Sequence, residues 1–192
     1  MTEEKKVASE GSLKFSKFLR NKALSLAEIE SDFKMEVSDC DAGDREANQH
    51  LSAIILFGES CRIGIKIHFK YSDAKAFAAR KFKILSEEVD ENDAMELLKE
   101  HVNILAGHVR TELEKVGILV GHGLPFVVQG YHEVFFDKDV NKSCSGTFRV
   151  GNDQMAMLYS YDLTSLSEDL ENKLRTIDQA LDHTKKGAFE IL

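Results

Sequence analysis

Between Ala94 and Val116, apolar side chains return at helical intervals without interruption. Placed on a wheel at about 100° per residue, Leu98, Val102, Leu105, Val109, Leu113 and Val116 fall in one narrow sector. Opposite them lie Glu96, Glu100, Asn103, Gly107, Arg110 and Glu114. One long helix with one apolar stripe must lay that stripe on another layer of the fold. The expected layer is a sheet that includes Leu51–Phe57 and Arg62–Lys70.

The strand signals around it are of two kinds. Leu51–Phe57 is a compact apolar run, Gly58–Ser60 reads as a turn, and Arg62–Lys70 alternates. Ile63, Ile65, Ile67 and Phe69 share one face of that strand, and Arg62, Lys66, His68 and Lys70 share the other, which predicts a hairpin with one buried face. Phe126–Phe136, Gly146–Val150 and Met155–Tyr161 read as three further strands, broken by Gly, Asn and Asp. An amphipathic helix is expected over Leu13–Phe33, with Phe15, Leu19, Ala23, Leu26 and Ile29 inward. Ser72 and Asp73 offer a cap for a helix carrying Ala74, Phe77, Ala78 and Phe82, and Leu166–Leu181 closes the chain as a helix of about four turns. Ser38–Gln49 reads as a loop. Hairpin strands with grouped helices indicate an α+β fold, a largely antiparallel sheet packed against long amphipathic helices. Residues 1–11 are polar and expected to be loose, and residues 12–192 form one domain.

Composition narrows the function classes. The 25 Lys and Arg against 33 Asp and Glu leave a net charge of −8, which argues against a broad nucleic-acid binder. The first ten residues lack the apolar stretch of a signal peptide, and no run of side chains is apolar enough to span a bilayer. Cys40, Cys61 and Cys144 are scattered without a CxxC, so isolated thiols in a reducing, cytoplasmic setting are expected.

The outer face of the long helix carries the chemistry. Asn costs about half a kcal/mol and Gly about 1 kcal/mol relative to Ala in a helix interior, yet Asn103 and Gly107 both sit there. Glu100 and Asn103, at i and i+3, are neighbours with Cβ atoms roughly 5–6 Å apart. One supplies a carboxylate and the other a carboxamide that donates and accepts. Gly107, one turn further, removes a side chain and permits close approach of another backbone. The result is a compact polar probe on a rigid helix, suited to a cleft on another molecule.

Glu100-His-Val-Asn103-Ile-Leu-Ala-Gly107, followed by Gly123-Leu-Pro125-Phe-Val-Val-Gln-Gly130, resembles the CheC–CheX–FliY family of chemotaxis phosphatases. The resemblance covers about Leu51–Tyr161 and is nearest to CheX, because only one Glu-x-x-Asn copy is present. It implies a CheC-like fold and hydrolysis of the aspartyl phosphate on a CheY-type response regulator. In that family the motif helix enters the regulator's active site, the Asn orients the attacking water, and the Glu engages the regulator near its active-site lysine. By this resemblance Glu100 and Asn103 are the catalytic pair, with Glu96, Gly107 and Arg110 on the partner-binding face. The family often has Asp or Ser where Glu96 stands, a departure that bears on docking. Mg²⁺ is expected in the partner regulator, with no cofactor of the chain's own, and a homodimer is expected. The alternative is a receiver-binding or dimerisation scaffold without catalysis.

Two other chemistries are weaker. The chain has no GxxxxGK[ST], and Gly58-Glu-Ser60 lacks the closing Gly of a nucleophile elbow. His101, His108, Glu112 and His122 could be imagined around a metal, but the helical pair is i and i+7 and no HExxH exists. Histidines packing beside the core stripe is the simpler expectation, with no metal site.

Overall fold

The alternating strand lies at the centre of the sheet. A computed structural model of the protein describes residues 9–40, 48, 50–129, 142–165 and 167–177. In it, β1 (Glu36–Asp39), β2 (His50–Phe57), β3 (Cys61–Phe69), β4 (Gly121–His122), β5 (Phe126–Gln129), β6 (Lys142–Gly151) and β7 (Ala156–Ser165) form one sheet. The order is β1-β6-β7-β3-β2-β4, with β5 also on β2, and every pairing is antiparallel. Ile63, Ile65 and Ile67 stand opposite Leu163, Tyr161 and Tyr159 on one side and Leu56, Ile54 and Ser52 on the other. These side chains form a single inner face.

Three helices cover that face: α1 (Glu10–Ser31), α2 (Tyr71–Phe82) and α3 (Glu91–Lys115). A short helix, α4 (Leu170–Leu174), packs on α1. The helix α3 lays Leu98, Val102, Leu105, Val109 and Leu113 into the core, all fully buried. Burying each such side chain is worth about 1.5–3 kcal/mol, so the stripe is ample to seat the helix. Asp90 caps it by accepting from the Asp93 N–H. Ser52 Oγ donates to the Leu98 carbonyl at 3.1 Å, tying α3 to β2.

Several expectations need correction. The second face of β3 is not solvated: Lys66 and His68 are each 3% exposed. Lys66 meets Asp162 at 3.4 Å, and His68 Nε2 meets Ser160 Oγ at 2.9 Å. Alternation separates the two faces of a strand but does not say that the polar one meets water, least of all for a central strand. Arg62 and Lys70 are exposed as expected. The N-cap of α2 is Lys70, whose carbonyl accepts from Asp73 and Ala74, and Ser72 and Asp73 lie inside the helix. The inward stripe of α1 ends on Ala27 and Glu30, leaving Ile29 exposed. Ser38 and Asp39 pair in β1 with β6, and β4 is a strand that the sequence did not announce. β6 begins at Lys142 and β7 runs to Ser165, both longer than expected. The described C-terminal helix is confined to Leu170–Leu174, where Leu170, Leu174 and Ile177 are buried. Leu166 and 178–181 of the expected helix, 130–136 of the expected strand, and residues 1–8 lie outside the described residues.

Candidate functional site on the outer face of α3

The core stripe of α3 fixes what its other side shows. Glu96, Glu100 and Arg110 are exposed, and Asn103 and Gly107 are half-buried. The predicted pair is brought together: Asn103 Nδ2 donates to Glu100 Oε2 at 3.4 Å. A Cβ built on Gly107 would meet nothing within 4 Å beyond the helix's own adjacent backbone, so no neighbour among the described residues demands the glycine. Thr111 Oγ1 donates to its carbonyl at 3.0 Å.

Charge separates the three glutamates of this face. Glu96 pairs with Lys99 at 2.5 Å and Glu114 with Arg110 at 2.7 Å, each within the helix. Among the described residues no basic side chain pairs with Glu100, whose hydrogen-bond partner is the neutral Asn103. The helix therefore presents one carboxylate without a cation, next to a carboxamide and ahead of a bare backbone position. Chemically, that arrangement can hold a lysine ammonium from outside and a water molecule at the same time. Arg110 and Glu96 flank it as ion pairs and are already engaged within the helix.

The histidines behave differently from a metal cluster. His101 is fully buried on the inner side of α3, between Glu30 of α1 and the Tyr159 hydroxyl of β7, the latter at 2.7 Å from Nε2. Phe77 meets its ring edge-on at 5.5 Å between centroids. His108 and His122 are exposed, and Glu112 pairs with Lys115 at 2.8 Å. Among the described residues no three His, Cys, Asp or Glu side chains group around a possible metal position. The sequence reading placed His101 beside the core stripe and missed Glu30 and Tyr159 as its partners. A Glu at the inward end of α1, four residues after Leu26, was the available signal.

Burial alone would raise the Glu30 carboxyl, but the hydrogen bond and charge of His101, together with Lys81 at 3.0 Å, hold it below the usual carboxylate range. Burial first, then the Glu30 charge, pushes the Tyr159 phenol well above its ordinary value. The inner face of α3 thus carries a carboxylate and a neutral phenol on one imidazole.

No protein-family model matches the chain, and no curated protein matches it. Solved structures do. A CheC-like superfamily protein from Shewanella sp. PV-4 aligns with a TM-score of 0.67 at 13% identity, over 80% of this chain and 99% of that one. A CheX–CheY–BeF3–Mg²⁺ complex from Borrelia burgdorferi aligns at 0.62 and 16% identity, over 79% and 98%. A FliM–SpeE complex from H. pylori aligns at 0.62 and 9% identity, over 91% and 100%. The chain has the CheC-like fold, an antiparallel sheet with helices on its inner face, as the resemblance of its motif implied.

Proposed function

We propose that this chain is a phosphatase for the aspartyl phosphate of a CheY-type response regulator, with the outer face of α3 as its working surface. The observation that carries this reading is the Glu100–Asn103 pair: outward on a core-anchored helix, hydrogen-bonded to each other, and with no cation on the carboxylate among the described residues. The existence of a CheX–CheY complex with the same fold supports the choice of partner.

An acyl phosphate is already a reactive compound, so the protein's task reduces to placing water. On docking, Glu100 turns to the regulator's active-site lysine in a charge-assisted contact and releases the Asn103 carboxamide. The Asn103 oxygen accepts from the water and directs its lone pair at phosphorus, in line with the acyl oxygen. The new P–O bond forms from water, the bond to the acyl oxygen breaks, and aspartate leaves as a carboxylate with inorganic phosphate as co-product. The Mg²⁺ and the phosphorylated aspartate belong to the regulator in this reading. Gly107 leaves room for its backbone, and the Glu96–Lys99 and Arg110–Glu114 pairs form the rim.

The resemblance also carries a homodimer. The β4–β5 edge of the sheet, beside exposed Phe57, Leu119 and Leu124, is the surface that favours it. Light scattering tests the assembly state directly.

The function is tested by following the decay of a phosphorylated CheY-type receiver with and without this protein. Faster decay at catalytic amounts supports the phosphatase. Binding of the phosphorylated receiver with unchanged decay supports a scaffold instead.

A further inference from the structure

The apolar stripe of α3 fixes which side of the helix is buried, and directional bonds refine its rotation, because hydrophobic contact by itself has no direction. Rotation matters at the outer face. With side chains at about 5–6 Å from the axis, a turn of about 10° moves their tips by about 1 Å. A displacement of that size can cost about 10²-fold in rate where a water must be aligned.

Besides the Ser52 bond to the Leu98 carbonyl, one buried side chain of α3 is held by directional bonds to two other elements. His101 sits between Glu100 and Asn103 in the chain and points the opposite way, fully buried. Its Nδ1 meets the Glu30 carboxylate of α1, and its Nε2 lies 2.7 Å from the Tyr159 hydroxyl of β7. Glu30 in turn takes Lys81 of α2 at 3.0 Å, and Tyr159 stacks on Phe148 of β6 at 5.3 Å between centroids. Four elements are thereby referenced to a single imidazole. With Glu30 a carboxylate, Nδ1–H of His101 donates to it, and Nε2 and the Tyr159 hydroxyl share the second hydrogen bond. The charged groups facing the cluster are Glu30 and Lys81, with Lys22 of α1 and His108 of α3 further out.

We infer that His101 is a positioning residue for the Glu100–Asn103 pair, locking the rotation of α3 through its bonds to Glu30 and Tyr159. This rests on the phosphatase reading for its catalytic consequence, and on the geometry alone for the lock. His101→Leu keeps an apolar body but leaves Glu30 with Lys81 only and the Tyr159 hydroxyl without its partner. Relief comes from α3 turning.

The experiment measures kcat and KM for dephosphorylation of the receiver, the folded fraction by circular dichroism, and residual dipolar couplings of the α3 amides, which report rotation against the sheet. In His101→Leu, kcat is expected to fall on the order of 10²-fold at an unchanged folded fraction, with KM moving far less and α3 rotated. His101→Asn keeps a donor for Glu30 and is expected to recover at least about tenfold of that loss. Should the Leu variant fail to fold, Tyr159→Phe, which removes one hydroxyl, carries the same test through kcat and α3 rotation. Wild-type kcat in the folded variants, or an α3 that does not turn, overturns the inference while leaving the phosphatase intact. If the wild-type chain accelerates no receiver's decay, the phosphatase reading and the catalytic role of His101 fall together, and the couplings alone decide whether His101 locks the helix.

Discussion

Glu100 and His101 are adjacent in the chain and face opposite worlds: the carboxylate is exposed on the outer side of α3, and the imidazole is fully buried against Glu30 and Tyr159. A step of about 100° along the helix separates a surface suited to another protein's active site from a polar anchor in the core. The expected effects of mutation divide along that line.

Asn103→Ala is expected to lower receiver dephosphorylation on the order of 10²-fold, since Ala cannot hold a water by hydrogen bonds. Stability should hold or rise slightly, because Asn103 makes one long bond at 3.4 Å and Ala is the better helix former. Decay kinetics and thermal unfolding of the same preparation check both halves. Full activity in this variant sinks the water-positioning role.

Glu100→Ala separates engagement from chemistry. The carboxylate is exposed and pairs with no cation among the described residues, so its loss should change stability by no more than about 0.5 kcal/mol. The proposed contact to the regulator's lysine predicts weaker binding and a higher KM, measurable by titration with a phosphoryl-mimic-loaded receiver. An unchanged KM would remove Glu100 from the interface.

Gly107→Ala should move stability and function in opposite directions. Among the described residues nothing beyond the helix's own adjacent backbone stands within 4 Å of the added Cβ, so the helix gains up to about 1 kcal/mol. If the glycine is kept for the approach of the regulator's backbone, binding and turnover drop in the more stable protein. Denaturant unfolding and receiver titration read the two effects, and improved stability with unchanged binding would make Gly107 a bystander.

The division between what the sequence disclosed and what it hid follows from the range of the signals. The core stripe of α3, the β2–β3 hairpin and the outward Glu100–Asn103 pair are encoded by spacing within one element, and all three stand in the structure. The burial of Lys66 and His68 was hidden because it depends on Asp162 and Ser160, nearly a hundred positions away. The inward turn of Glu30 was hidden in another manner. After Leu26 the helical period falls between Ile29 and Glu30, and apolarity favours Ile29, but a buried partner on α3 makes the carboxylate the inward choice. β4 spans only Gly121–His122 and owes its strand character to β2, so no local pattern could announce it.

The same Glu30 sets a pH dependence. Its carboxyl is held below the ordinary value of 4.5 by His101 and Lys81 against the opposing effect of burial. A depressed carboxylate contributes stability that is present above its unfolded value and is lost as pH falls through the lower folded value. Urea unfolding between about pH 7 and pH 3 should show stability falling below about pH 4.5. Glu30→Gln, which cannot ionise, is expected to be less stable near neutrality and to show a shallower fall in acid. An equal slope in both proteins would place the acid sensitivity elsewhere.

Cys61 governs the alkaline side with the opposite sign. Burial pushes its thiol from 9.0 to about 11. The unfolded chain therefore ionises first, and the stability that the folded thiol contributes is complete below pH 9 and lost as pH rises toward about 11. The phenols of Tyr159 and Tyr161, both raised first by burial, add to the loss at still higher pH. Cys61→Ala removes one methyl-sized contact in the core, so it should be less stable at neutrality yet fall less steeply between about pH 9 and 11. Native Cys61 should also react slowly with a thiol reagent at neutral pH, because the attacking species is the thiolate and the folded protein suppresses it. Rapid modification of Cys61 in the folded chain, confirmed by mass spectrometry of its peptide, would contradict that burial.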